Sequence, residues 1–436
     1  MGHPIPGPRS LPFIGNTFEF RKNPPGYMNE VHNEYGDMAV IRAGWRKLIL
    51  VFHPDQIREI LVEKHKSFRK SRGLRLLGLL LGEGLLTLEG DAHRKHRKLI
   101  QPAFQKRRID AYGVYIRKAC NDVSAKWTDG QQIDVHRWMM YLALTIASRS
   151  LFNADVEDDA PEVGEALDRA MQDFNRVVSN PLGPLLVRLP TVAGRRFRSA
   201  RKQLDRIVYG IIEERRKDNR DHGDFLSILF SKDENGMGLS PKQIRDEAMT
   251  IFLAGHETTA NALSWSIYLL SRNPAFAERL RNELRAAPAT IEPDTELPLT
   301  TALFSEAMRL YPPVWAFGRE SIEPVEVGGH LLPRGTTFLL SPYVTHRDPR
   351  FWDAPNEFRP DRWLEDAAGQ PRFRYFPFGG GPRICIGEPF AWMEGRMVLA
   401  QMLRMWDFQV DGATVRPKAL VTLRPEGGIP ARLVRL

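Results

Sequence analysis

The longest apolar pattern in the chain runs from Ala248 to Leu270, interrupted only by His256, Glu257 and a few hydroxyl or amide side chains. A helix that is hydrophobic on nearly every side belongs in an interior. Its start is legible: Ser240 can cap it, Pro241 suits the first helical position and Gln243 completes a capping box. Asn273-Pro274 ends it. The pattern therefore predicts one buried helix over residues 241–272, about 48 Å long at 1.5 Å per residue. Shorter periodic runs predict helices over Pro274 to Ala286, Thr300 to Leu310, and from just after Cys385 to about Trp406. Residues 91–224 read as mostly helical, with breaks at Asn153 to Pro161 and Ser179 to Pro190. His53-Pro54-Asp55 opens another helix that ends near Lys64.

Period-two alternation predicts a β-hairpin from Ala39 to Ala43 and Lys47 to Phe52, with Gly44-Trp45-Arg46 between them. A short strand is expected at Thr336 to Leu340, and a C-terminal hairpin from Ala419 to Leu423 and Ala431 to Val434. Pro4 to Pro12 reads as an extended surface arm. Residues 71–90 are apolar but cut by glycines, and are expected to be a mobile loop. Helix dominates a minor β region assembled from distant segments. No linker divides the chain, so one domain over residues 1–436 is expected.

Composition narrows the class. Hydrophobic residues at 42% with charged residues at 26% exclude intrinsic disorder. Two cysteines, Cys120 and Cys385, exclude a disulfide framework and a four-cysteine zinc or iron–sulfur site, and suit a reducing cytoplasm. Met1 to Pro12 lacks the apolar core of a signal peptide, and no uncharged run is long enough for a spanning helix. The net charge of +9 points to an acidic partner, an anionic membrane or nucleic acid, or simply to a solvated basic surface. The nucleic-acid reading rests on charge alone and predicts salt-dependent retention on DNA.

Three segments carry chemistry beyond packing. In Phe378-Gly-Gly-Gly-Pro-Arg383-Ile-Cys385-Ile-Gly387 the glycines let the backbone approach a flat object closely. Cys385 stands just before an apolar helix, whose N-terminal N–H groups and dipole favour a thiolate. Arg383 can neutralise an anion beside it. Such a thiolate is a poor zinc site without a second Cys or a nearby His, but a good single axial ligand for heme iron. A structural Cys at a helix start is the competing reading. In the central helix, Ala254-Gly255-His256-Glu257-Thr258-Thr259 sets an acid beside a hydroxyl in apolar surroundings, where burial is costly without a purpose. Ala254, Thr258 and Ala262 share one face, and Gly255 thins the helix. The bland alternative is a hydroxyl bonded back to the carbonyl four residues earlier; His256 reads as packing or surface. Glu306-Ala-Met-Arg309 has the spacing of an ordinary surface ion pair. His93-Arg-Lys-His96-Arg97 reads as a solvated basic face or a His-x-x-His lacking further ligands.

The Cys385 segment resembles the heme-binding loop of the cytochrome P450 family, Phe-x-x-Gly-x-Arg-x-Cys-x-Gly, with every fixed position present. The resemblance implies a mainly α fold with a small β region, and non-covalent heme b between the central helix and the Cys-loop helix. Cys385 would ligate the iron, Phe378 would pack near the sulfur, Arg383 would pair with a propionate and Gly387 would complete the loop. The central stretch looks like the family's oxygen-activation motif, Ala-Gly-x-Glu/Asp-Thr. It implies room for heme at Ala254 and Gly255, orientation of oxygen and water by Thr258, and proton relay by Glu257. Glu306 and Arg309 resemble the family's Glu-x-x-Arg motif. Arg362, in Phe358-Arg-Pro-Asp-Arg-Trp363, fits its third partner in a structural network. His93, Arg97 and Arg319 fit propionate contacts. By family position, Leu80, Leu81, Leu85, Phe174, Val177, Ile251, Ala254, Ala262, Val314, Trp315 and Phe317 would line an apolar substrate site.

The implied activity is O2-dependent monooxygenation, hydroxylating or epoxidising an apolar small molecule: a fatty acid, terpenoid or polyketide. Electrons would come from a separate ferredoxin or flavodoxin with its reductase, because the chain leaves no room for a fused one. Acidic carriers of that kind suit the +9 balance. A cytoplasmic protein without a membrane anchor is expected. Two alternatives remain at this level: a peroxide-driven peroxygenase, which tends to lose the acid–alcohol pair, and a heme-thiolate sensor or carrier, which needs neither Thr258 nor a partner surface.

Overall fold

The computed structural model describes all residues except 1–3, 155–159, 179–188, 190, 219, 221, 232–237, 366–368 and 413. Its packing forms two compact units, each built from distant parts of the chain. The first joins Met1–Arg75, Ser305–Cys385 and Pro417–Arg424; the second joins Leu76–Phe304, Ile386–Arg416 and Pro425–Leu436.

A five-stranded sheet organises the first unit. Its strands run in the order Met38–Ala43, Arg46–Val51, Thr337–Leu340, Phe317–Ser321, Phe68–Lys70. The hairpin is antiparallel, pairs Met38 with Val51 and turns through Gly44-Trp45. Arg46–Val51 runs parallel to Thr337–Leu340, and the other pairings are antiparallel. Alternation along the strands feeds both faces. Met38, Ile49, Val51, Phe338 and Leu340 pack on Ile57, Ile60, Leu61, Phe373 and Phe376. On the opposite face Ala39, Ile41 and Leu50 meet Met28, Val31, Phe52 and Val344. The strands Phe68–Lys70 and Phe317–Ser321 escape sequence reading because Arg, Lys, Gly, Glu and Ser leave no alternation. Pairing with neighbours, not propensity, makes them strands. The helix opened by His53 runs from Pro54 to Arg58 and then widens into one π turn, Glu59–Glu63.

The second unit is helical around the central helix, Pro241–Ser271. Both halves of its capping box are present: the Gln243 N–H donates to Ser240 Oγ at 3.3 Å, and the Ser240 N–H donates to Gln243 Oε1 at 2.9 Å. The helix Val135–Phe152 packs along it, with the Phe152 and Phe252 rings 5.9 Å apart. Around these lie Gly90–Ile100, Lys106–Ser124, Ala160–Val178, Val192–Asp218, Pro274–Ala286 and Glu388–Met405. Most of the two breaks expected at 153–161 and 179–190 lies outside the described residues. Among the described residues, no helix is long and apolar enough to cross a membrane.

Two expectations are corrected. The C-terminal strand Pro430–Arg435 does not form a hairpin with residues 419–423. It pairs with Trp406–Val410 and with Gln132–Asp134, and Leu423–Pro425 pairs instead with Pro417–Ala419. Ala431 and Leu433 are both fully buried, which a free hairpin could not achieve. Nor do residues 78–88 form a loose loop. Gly78–Leu81 is a helical turn, and the glycines after it bring backbone against the central helix. A Cβ at Gly84 would sit 2.1 Å from Thr250 Oγ1 and 2.6 Å from the Asp246 carbonyl oxygen. Asp246 then accepts from the Glu83 N–H at 2.8 Å, and Glu247 from the Leu85 N–H at 2.9 Å. These glycines serve close approach rather than mobility.

Candidate active site

The glycine-rich segment of the first unit is fixed by its own backbone. Gly379 and Gly381 take φ of 73° and 67°, conformations that L side chains avoid. A Cβ at Gly381 would lie 1.9 Å from the Leu61 carbonyl oxygen, so the segment seats backbone-to-backbone on the π turn. The Cys385 N–H donates to the Phe378 carbonyl at 3.0 Å and closes the loop. Phe378 and Arg383 are half-buried, while Cys385 stays exposed. The other cysteine is its opposite. Cys120 is fully buried, and burial pushes its thiol well above the ordinary range.

Beneath this loop lies a charged network with no solvent exposure at its centre. Arg309 forks onto Glu306, Nε to Oε2 at 2.9 Å and Nη2 to Oε1 at 2.8 Å, with both side chains 0% exposed. Arg362 Nε reaches Glu306 Oε1 at 3.3 Å. The structure thus brings Glu306, Arg309 and Arg362 together. It adds two donors to Glu306: the Trp363 indole N–H at 2.8 Å and the Arg359 backbone N–H at 2.9 Å. Arg309 also donates to the carbonyls of His346, Pro355 and Glu357. His346 carries the link onward, its Nε2 accepting the Phe376 N–H at 2.9 Å. Burial first, and then Arg309 and Arg347, hold its pKa well below the ordinary histidine value. A neutral ring suits the acceptor role. Sequence reasoning missed His346, since Thr345-His-Arg-Asp348 shows no periodicity or motif. Trp363 was legible only as a neighbour of Arg362.

In the second unit the central helix is buried along most of its length, but one short face is open. Ala254 is exposed and Thr258, one turn on, is half-buried, whereas Leu253, His256, Glu257, Thr259 and Ala260 are buried. Thr258 Oγ1 donates to the Ala254 carbonyl at 2.8 Å, so the back-bond exists on that open face. A Cβ at Gly255 would meet only Ala147 Cβ at 3.9 Å. Glu257 is 3% exposed. His256, at 1%, is a packing residue and not a surface one.

The remaining candidates divide between the units. His93 is buried and Arg97 half-buried on Gly90–Ile100, one turn apart. Leu80, Leu81, Leu85, Phe174, Val177, Ile251 and Ala262 are buried in the same unit. In the first unit Arg319 is buried on a strand, its guanidinium 5.2 Å from the Phe317 ring centroid. Val314, Trp315 and Phe317 are half-buried, and the Trp315 indole N–H donates to the Leu420 carbonyl at 2.9 Å.

Glu394 is a further buried carboxyl that the sequence did not single out. It is 0% exposed on Glu388–Met405, near Cys120. Burial raises its pKa well above the ordinary carboxylate range, against a smaller opposing pull from the Thr259 hydroxyl. A raised folded pKa gives stability that is complete below the unfolded value, near 4.5, and is lost as pH rises toward the folded value. A Glu394→Gln chain should therefore be more stable than the parent at pH 8. The gap in melting temperature should close near pH 4; a gap constant with pH would exclude Glu394 as its source.

Comparison with known proteins extends this picture to the whole chain. The family model described as Cytochrome P450 matches residues 5–429 and so runs through both units. Cyclooctatin synthase of Streptomyces melanosporofaciens is 35% identical over 426 residues, covering 95% of this chain and 92% of its own. Pentalenene oxygenase of Streptomyces avermitilis is 34% identical, with 95% and 94% covered. Cyclooctat-9-en-7-ol 5-monooxygenase of Streptomyces melanosporofaciens is 32% identical, with 94% and 90% covered. The crystal structure of CYP175A1 from Thermus thermophillus superposes with a TM-score of 0.79 at 30% identity, covering 96% of each chain. Motif, fold and full-length relatives agree, and the chain belongs to the cytochrome P450 family of heme-thiolate oxidoreductases.

Proposed function

We propose that this protein is a monooxygenase that inserts one oxygen atom from O2 into an unsaturated carbocycle of terpenoid type. The observation that carries the reading is the exposed Cys385 sulfur on a loop stapled at Gly381, just ahead of a helix. The residues present fit heme b. In the first unit Cys385 offers one thiolate, Phe378 an aromatic side chain on the same loop, and Arg383 and Arg319 the cations that propionates need; in the second unit Arg97 and His93 are cationic or donor groups of the same kind. The open turn at Ala254, Gly255 and Thr258 leaves space against a flat ring. When bound, heme supplies reduction of O2 and delivery of one oxygen atom to a C–H or C=C bond. The protein contributes position, protons and exclusion of water.

Within that division of labour, Thr258 holds and orients water through its hydroxyl, and Glu257, buried one residue earlier, relays protons to it. Replacing Thr258 by Ala should leave oxygen consumption running but lower product formed per oxygen consumed by roughly 10²-fold, the low end of a positioned proton donor's contribution. Unchanged coupling would remove Thr258 from the reaction.

The substrate class is inferred from two relatives, which are named for pentalenene and cyclooctat-9-en-7-ol. The candidate lining residues of each unit, Leu80 to Ala262 in the second and Val314 to Phe317 in the first, are apolar, which suits such a molecule better than a charged one. Electrons come from a separate ferredoxin or flavodoxin, which a +9 chain attracts. The test is the reconstituted holoenzyme with a ferredoxin, its reductase, NADPH and a panel of cyclic terpenes and fatty acids. A terpene product gaining one 18O from labelled O2 is expected. Oxygenation of fatty acids alone would overturn the substrate class, and no oxygenated product from any of them would overturn the activity.

A further inference from the structure

The second unit carries a groove of about 610 Å³ whose residues the oxygenase reading does not use. Three helix ends build it. The helix Lys106–Ser124 starts on one side, Val135–Phe152 ends on another, and His222 to Asp224 lead into Phe225–Phe230 on the third. The first of these ends is anomalous. Lys106, Arg107 and Arg108 fill its first turn, no acid accompanies them there, and Gln105 provides no side-chain cap. A helix N-terminus already carries partial positive charge and orphan N–H groups, so added cations repel it. Lys106 pairs with Asp110 at 2.9 Å, while Arg107 and Arg108 line the groove. The Arg108 guanidinium lies against the third wall: a Cβ at Gly223 would sit 3.2 Å from its Nη1.

The end of Val135–Phe152 adds Arg149 and Ser150, which are 6% and 1% exposed. Arg149 Nη1 donates to Asp122 at 2.7 Å. The Ser150 hydroxyl has no hydrogen-bond partner among the described residues, although Thr145 on the same helix bonds back to the Tyr141 carbonyl at 3.0 Å. A buried hydroxyl in that state lacks the acceptor that such groups normally find. Asp224, the acid of the lining, is already engaged. Arg215 forks onto it at 2.8 and 2.6 Å, and the Ser227 N–H adds a bond at 2.9 Å. Arg107, Arg108 and Arg149 thus line the groove with a carboxylate whose charge Arg215 balances. Uncapped helix N–H groups, guanidinium forks and a spare hydroxyl are donors that phosphate oxygens accept from. The volume is that of a small-molecule site, and Tyr115 supplies a half-buried ring beside the cations. We propose that this groove binds a small organic diphosphate, its phosphates on the arginines and Ser150 and its organic part on Tyr115. Bound there, the ligand ties three helix ends together.

The test is calorimetric titration of the full-length holoprotein with inorganic pyrophosphate, against orthophosphate. Pyrophosphate should bind the more tightly. Its affinity should fall by about tenfold or more in Arg107→Ala/Arg108→Ala, as for lost charge-assisted hydrogen bonds, and by a smaller factor in Ser150→Ala. Melting temperatures supply a sign that a merely structural role would not give. Without pyrophosphate the arginine double variant should melt at or above the parent's temperature, because it relieves the helix end. With pyrophosphate the parent should gain stability and the variant should not. If the double variant fails to fold, Arg107→Ala, at an exposed position, decides. Pyrophosphate binding no tighter than orthophosphate, or with equal affinity in the variants, overturns the proposal. So does a change in the ferric absorption spectrum that tracks the titration, which would put the anion on the heme. So does an acidic ferredoxin that binds the arginine variants more weakly while their pyrophosphate affinity stays at the parent's value, which would give the arginines to the electron carrier.

Discussion

An Arg309→Ala chain is expected to lose about 3–5 kcal/mol of stability, the cost of leaving one member of a buried ion pair alone. The upper end applies here. Glu306 would remain 0% exposed, with only Arg362 at 3.3 Å, the Trp363 indole and the Arg359 N–H to balance it. The carbonyls of His346, Pro355 and Glu357 would also lose their shared donor. The guanidinium further sits 5.1 Å from the Trp352 ring, and that packing goes too. Arg309→Lys should recover only part, because an ammonium keeps the charge but cannot fork onto a carboxylate and reach three carbonyls. The loss should hardly depend on salt, since the pair is shielded from solvent ions. Urea unfolding at two ionic strengths measures both points. An Arg309→Ala protein with the parent's midpoint would show that this network holds nothing in place.

Replacing Cys385 by Ser is expected to abolish turnover while leaving the fold intact. The side chain is exposed and the loop is fixed by backbone contacts, Gly381 on Leu61 and the Cys385 N–H on Phe378, none of which uses sulfur. The stability change should stay within about 0.5 kcal/mol, as for other surface substitutions. The reduced, carbon-monoxide-bound holoprotein should lose the red-shifted absorption that marks thiolate ligation. Cys120→Ser supplies the contrast. It places a hydroxyl in a fully buried site and should cost about 1–3 kcal/mol, yet leave the spectrum unchanged. A thiolate spectrum that survives loss of Cys385, or vanishes with Cys120, would overturn the assignment.

Local signals reached far in this chain. The central helix, its capping box and its Asn273-Pro274 end could be read because cap, Pro and apolar period act within a few residues of one another. The hairpin of Met38–Val51 was legible for the same reason. Residues 78–88 show where such reading stops. Their glycines look like freedom in a linear sequence, and become close approach only once Asp246, Glu247 and Thr250 stand opposite.

By itself the sequence determined the helical class, the family motifs and the identity of the candidate thiol, since each is written in contiguous residues whose chemistry does not depend on distant neighbours. Only the tertiary structure decided which cysteine is exposed, which strand the C-terminus joins, that His346 and Trp363 complete the network around Glu306, and that Arg108 and Ser150 line one groove. Those outcomes depend on burial and on pairing between residues tens to hundreds of positions apart. Burial sets the cost of a charge and the value of an apolar side chain, and no stretch of sequence contains that information until the chain has folded.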